Sequence, residues 1–180
     1  MFEIQSMDPL RYREQTRRST LILCAILAAL CITLATLSVA LFGEPGGNNF
    51  RWNLGGVIAG LLLTIAVVRT YLWQQPWMAP AVYGFRLKRN LMKVTNILHQ
   101  VEAGVADADP TAMRVLRFYH LGLLQMYQLD GNSTAASDLV KEMDQHHERM
   151  LTAGLDPHQP RLDPAWLTSV SERWRDAKRR

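Results

Sequence analysis

The chain has 180 residues, 48% of them hydrophobic and 20% charged, with a formal net charge of +4. That length holds one domain, or a membrane anchor with a small domain, and excludes anything larger. The mean hydropathy of −0.06 averages unlike parts: Ser19 to Gly43 carries no charge in twenty-five residues and Trp52 to Val68 none in seventeen, whereas the chain beyond residue 80 is as polar as a soluble domain.

Residues 1–18 read as a basic juxtamembrane segment. Within it Asp8-Pro9 is a helix-start signal, Asp as N-cap and Pro at N1, so "PLRYREQTRRS" opens a short helix that runs into the first apolar stretch. An uncharged run of about 20 residues matches a bilayer core of about 30 Å at 1.5 Å per residue. Two such runs predict a transmembrane helical hairpin over 19–73, with spans at about 19–42 and 52–73 and a turn at 43–51. The step Ser38-Val39-Ala40 resembles a signal-peptidase site. The apolar run before it is longer than a signal-peptide core and a second run follows, so a span is the expectation. Cys24 and Cys31 both lie in the first run, about 10 Å apart along a helix, too far for a disulfide.

The turn "GEPGGNNFRWNLGG" has the glycines of a phosphate loop but neither a Lys-Ser/Thr after them nor a strand before them. Gly43, Pro45, Gly46 and Gly47 stop a helix, and Asn48 and Asn49 satisfy local backbone groups. Phe50 and Trp52 stand at one expected interface, and Trp73 lies twenty-one residues beyond Trp52, roughly 31 Å along a helix and close to the hydrocarbon thickness. Arg11, Arg13, Arg17 and Arg18 precede the first span, only Arg51 lies in the turn, and Arg69, Arg86, Lys88, Arg89 and Lys93 follow. The positive-inside rule then places both termini in the cytoplasm. Arg69 sits near the inner end of its span and can snorkel to the headgroups.

Small residues recur on both spans. Cys24, Ala28, Cys31, Ala35 and Ser38 draw a seam down the first, and Gly56, Gly60 and Thr64 make small-xxx-small steps on the second. In lipid such seams supply close helix packing. The motif leaves open whether they meet within one hairpin or join a second copy or a foreign subunit.

Residues 74–180 read as a cytoplasmic all-α domain of about four helices. Leu87, Leu91, Val94, Leu98, Val101 and Val105 form a heptad stripe in a helix from Tyr83 to Ala106, one face of a bundle or else a dimer seam. Asp109-Pro110 opens the next helix, whose apolar residues spread over Leu116, Tyr119, Leu123 and Met126 with Val115 and Phe118 beside them, which marks it as central. Leu139, Met143 and Met150 mark the buried side of a third helix ending at Gly154, and Trp166, Val170 and Trp174 that of a last one. No stretch alternates with the period of a strand.

Chemistry is sparse. Asp144 and His147 have the i, i+3 spacing of a di-iron ligand pair and Glu142 and His146 are four apart, but a di-iron site needs a second such pair and two more carboxylates. His99 and Glu102 are the nearest match, in surroundings that look solvent-facing. The expectation is therefore a polar helix surface with no metal or other cofactor. His120, among Arg117, Phe118 and Tyr119, reads as a packing histidine. Arg86, Lys88, Arg89 and Lys93 sit where contacts with anionic lipid are expected. Residues 81–180 hold 14 Lys/Arg against 12 Asp/Glu, a net of +2, which argues against nucleic acid as a partner even though "RWRDAKRR" is basic.

The segments "FGEPGGNNFRWNLGG", "VYGFRLKRNLMKVTN" and "LRFYHLGLLQMYQLDGN" resemble an uncharacterised family of small bacterial inner-membrane proteins, domain of unknown function 3087. The resemblance covers most of the chain to about Asn132. It implies an inner-membrane location and transfers no catalytic residue. The function expected is a non-enzymatic, membrane-anchored helical module, an accessory or scaffold subunit with a protein partner or a second copy of itself. The alternatives are a membrane-bound metal-binding protein or enzyme using His120 or Asp144 and His147, and a nucleic-acid tether using the basic C-terminus.

Overall fold

The structure, a computed structural model, describes residues 1–175. It is all-α except for one two-residue strand pair, and it divides into two compact units: residues 14–82, and residues 1–13 together with 83–180.

In the first unit, helices α1 (Pro9–Phe42) and α2 (Phe50–Thr70) form an antiparallel hairpin. Two segments, Pro9–Phe42 and Phe50–Gln74, are long and apolar enough to cross a membrane. The turn closes as its composition predicts. Gly46 takes φ +75°, and Asn49 answers the Glu44 backbone twice, accepting from Glu44 N at 3.0 Å and donating to Glu44 O at 3.1 Å. Phe42 stacks on Trp52 across the helix ends at 5.1 Å.

The seams meet within the hairpin. Gly56, Gly60 and Thr64 are the buried residues of α2. A Cβ on Gly56 would lie 2.4 Å from Ala35 Cα, and one on Gly60 would lie 2.7 Å from Cys31 Cα. Thr64 turns its hydroxyl onto Gly60 O at 2.7 Å, so no polar group is left open in the contact. On α1 the contact uses Cys31 and Ala35, with Ser38 half-buried, whereas Cys24 and Ala28 are exposed. Past α2 the chain makes two short 3-10 turns, Leu72–Gln74 and Pro76–Met78. There Ser19, 1% exposed, places its hydroxyl 2.9 Å from the carbonyls of both Gln15 and Trp77.

In the second unit, α3 (Ala79–Thr95), α4 (Leu98–Ala106), α5 (Pro110–Asp130), α6 (Ser133–Thr152) and α7 (Pro164–Arg173) make five helices where four are expected. The difference lies at Asn96-Ile97, where the helix expected from Tyr83 to Ala106 breaks. Thr95, Asn96 and Ile97 are all weak helix formers, and Thr95 donates its hydroxyl back to Leu91 O at 3.0 Å. The heptad stripe nonetheless stays in phase across the break. Leu87, Leu91, Val94, Val101 and Val105 are buried in the core, and Leu98 is half-buried. The stripe is thus a bundle face. Gly122 of α5 lets Leu87 and Leu91 approach, and Gly104 of α4 admits Ala112.

Helix α5 is central. Its most buried residues are Ala112, Met113, Val115, Phe118, Gly122, Met126 and Leu129, while Leu116, Tyr119 and Leu123 are half-buried. Asp109 caps it by accepting from Thr111 N at 2.9 Å and Ala112 N at 2.8 Å, and Gly131 ends it at φ +76°. Asp8 and Asp163 cap α1 and α7 in the same way. The backbone N–H groups of Arg11 and Leu10 hold the Asp8 carboxyl below its usual pKa.

The N-terminal segment departs most from expectation. Strand β1 (Phe2–Glu3) pairs antiparallel with β2 (Arg161–Leu162). Phe2 stacks on Tyr83 at 6.0 Å and meets the edge of Phe118 at 6.2 Å. Gln5 N donates to Tyr83 Oη at 3.0 Å, and Gln125 bonds both Tyr83 Oη and the Gln5 carbonyl. Tyr12 packs where Gly84 leaves no Cβ, and Glu3 pairs with Arg161 at 3.1 Å. Residues 1–13 are a strap over the helical domain.

Two outcomes follow from these contacts. Gly56→Ala and Gly60→Ala each add a methyl group against helix backbone, and each should lower thermal stability in detergent by several degrees, about 1–3 kcal/mol of overpacking. Gly55→Ala, with open space around it, should not. Phe2→Ala should cost the helical domain about 2 kcal/mol, seen as a lower midpoint for loss of Tyr83 and Trp174 burial in a denaturant titration.

Candidate functional site

The polar residues of the helical domain converge between α5 and α6. On α6, Leu139, Met143, His146 and Met150 recur at steps of 4, 3, 4 and all are buried. His146 is therefore a core residue at 3% exposed, which corrects its reading as part of a polar helix surface; Glu142, its i−4 neighbour, is exposed. The same spacing was available in the sequence, and the adjacent His147 and acidic residues masked it. On α5, His120 is 5% exposed, in keeping with a packing histidine.

The two imidazoles meet edge to face with centroids 5.5 Å apart. His146 Nε2 lies 2.9 Å from Met113 O. A carbonyl can only accept, so Nε2 carries the proton and Nδ1 is the bare nitrogen. Nδ1 of His146 and Nδ1 of His120 are both buried without a hydrogen-bond partner. A proton added at either would place a charge in an apolar pocket with no acceptor. Burial, then the neighbouring His146 and Arg117, push His120 down to about 4. Burial also lowers His146, against the bond to Met113 O and with help from Arg117 and Arg149.

Arg117 holds the other side. Its guanidinium donates to Pro157 O at 3.0 Å and to Met143 O at 3.1 Å, and its Nη2 lies 3.3 Å from His147 Nδ1. Arginine cannot accept, so His147 Nδ1 does, and its proton sits on Nε2. Burial lowers the Arg117 pKa, and Asp144 opposes that shift. Asp144 is exposed and His147 half-buried, so both candidate ligands stand beside a cation that already occupies one imidazole nitrogen. Among the described residues no group of three or more His, Cys, Asp or Glu side chains is placed to hold a metal ion. His99 is half-buried and Glu102 exposed.

The basic residues Arg86, Lys88, Arg89 and Lys93 are all exposed on α3. Lys88 Nζ lies 3.5 Å from Asp130. Phe85 and Met92 share that face and are 52% and 65% exposed; periodicity alone does not separate them from core residues. In the basic C-terminus Arg173 pairs with Asp109, Arg175 is exposed, and residues 176–180 lie outside the described residues.

A helical hairpin of spanning length joined to a strapped, all-α domain defines a small helical protein with two candidate membrane spans. The chain belongs to the family described as protein of unknown function (DUF3087), whose sequence model matches residues 2–167. No curated protein and no solved structure matches it.

The histidine pair makes a pH prediction. Well above pH 6.5, the ordinary imidazole pKa, both histidines are neutral whether the chain is folded or not. As pH falls below that value the unfolded chain takes up protons that the folded one refuses, His120 until about pH 4, so stability drops across this window. His120→Phe should make the drop in thermal midpoint of the solubilised chain between about pH 6.5 and 4.5 shallower, with the part due to His146 remaining.

Proposed function

We propose that this protein is a non-enzymatic accessory or scaffold subunit of a bacterial inner-membrane assembly, held by a two-span hairpin with both termini in the cytoplasm. The observation that carries this reading is the pattern of basic residues around the uncharged stretches of two helices long enough to span: Arg11, Arg13, Arg17 and Arg18 ahead of the first stretch, Arg51 alone between the two, and Arg69, Arg86, Lys88, Arg89 and Lys93 after the second. The compact unit formed by residues 1–13 with 83–180 supports it independently. The segment 14–82 leaves that unit and returns to it, so both of its ends belong on one side of any membrane it crosses. The helical domain offers its surface to a protein partner or a second copy.

The metal or enzyme reading has less support, because Arg117 engages His147 and the Nδ1 atoms of His120 and His146 are buried. A nucleic-acid tether has less as well, since Arg173 of the basic C-terminus is engaged by Asp109.

The test is a topology and partner experiment. A reporter active only in the cytoplasm should work when fused after Arg180 and fail when inserted at Asn48. Crosslinking in native membranes, followed by purification, should return a stoichiometric protein partner or a homo-oligomer. Activity at Asn48 overturns the hairpin, and a chain that stays monomeric and alone overturns the scaffold role.

A further inference from the structure

Helix α3 has two faces of opposite character. Leu87, Leu91 and Val94 are buried in the domain core. On the other side Phe85, Arg89 and Met92 follow one another at i, i+4 and i+7, a single line down the helix, and all are exposed. Arg86 and Lys93 flank that line on one side and Lys88 on the other. The helix has four basic residues and no acidic one. Lys88 is drawn toward Asp130, which leaves Arg86, Arg89 and Lys93 around an exposed phenylalanine and methionine.

From this face we infer that α3 is a lipid-binding surface for anionic headgroups, with Phe85 and Met92 entering the interface and Arg86, Arg89 and Lys93 contacting phosphates. The inference rests on the membrane-anchored reading. Charge complementarity selects the occupant, because an uninterrupted positive face suits the anionic surface of a membrane. The apolar side chains between the charges select it further, since basic residues interleaved with large apolar ones are the chemistry of a helix lying in the headgroup region. Chain continuity also favours it. The candidate span ends at Gln74 and α3 begins at Ala79, so the basic face starts within a few residues of the bilayer. The remaining exposed apolar residues of the last two helices, such as Val140 and Leu151, are not set among such a cluster of cations.

The experiment uses the full chain with Cys24→Ala and Cys31→Ala, reconstituted in vesicles of phosphatidylcholine with or without phosphatidylglycerol. A single fluorophore is attached at Met92→Cys, Val140→Cys or Ile58→Cys, and quenching by doxyl lipids is measured. Ile58 reports the span. Position 92 should be quenched several-fold more than position 140 in anionic vesicles, and much less in phosphatidylcholine alone or after Arg86→Gln, Arg89→Gln and Lys93→Gln together. Quenching at 58 with none at 92, or quenching at 92 that survives the triple substitution, overturns the inference and leaves the anchor standing. No quenching at 58 overturns the anchor, and the inference with it.

Discussion

The hairpin is held by backbone meeting backbone. The two helices are long and apolar enough to cross a membrane, and in lipid, where apolar surface gains nothing by turning to a neighbouring helix, such helices associate through close fit. Gly56 and Gly60 supply that fit against Cys31 and Ala35, at separations no side chain would tolerate. Thr64 joins the same face because its hydroxyl is satisfied on its own helix. The packing thus uses the small-residue faces of the two helices on each other.

The helical domain is organised on water-soluble rules. Its core is apolar around α5, and its few buried polar groups come at identifiable costs. Burial holds the pKa of both His120 and His146 below the usual imidazole value, which favours their neutral rings. Arg117 is tolerated because its guanidinium finds two carbonyls and an imidazole. This single side chain ties α6 and the segment after it to the central helix.

Much of this architecture was legible in the sequence because it rests on local signals. Asp8, Asp109 and Asp163, each followed by proline, mark the starts of their helices, and the turn at 43–51 follows from its glycines and asparagines. The heptad stripe finds the buried face of α3 and α4, but it stays in phase through Asn96-Ile97 and so conceals the break. His146 shares the spacing of Leu139, Met143 and Met150, but its polar neighbours on either side hide that membership in the sequence. Phe85 and Met92 look like core residues until a structure shows the opposite face of α3 filled by Leu87, Leu91 and Val94. The strap was not legible at all. Its strand pairing is two residues long, and its partners, Tyr83, Phe118, Gln125 and Leu162, are far away in sequence.

That separation has a consequence for the order of events during synthesis. Phe2 is made well before Leu162, which lies in the strand that it joins. At about 5–20 residues per second, translation leaves the strap waiting on the order of ten to thirty seconds for its docking site to emerge. Within that interval the whole segment 14–82 is made, ahead of the strand that the strap joins. The strap therefore closes on its domain only after the segment 14–82 and helices α3 to α6 have all been made.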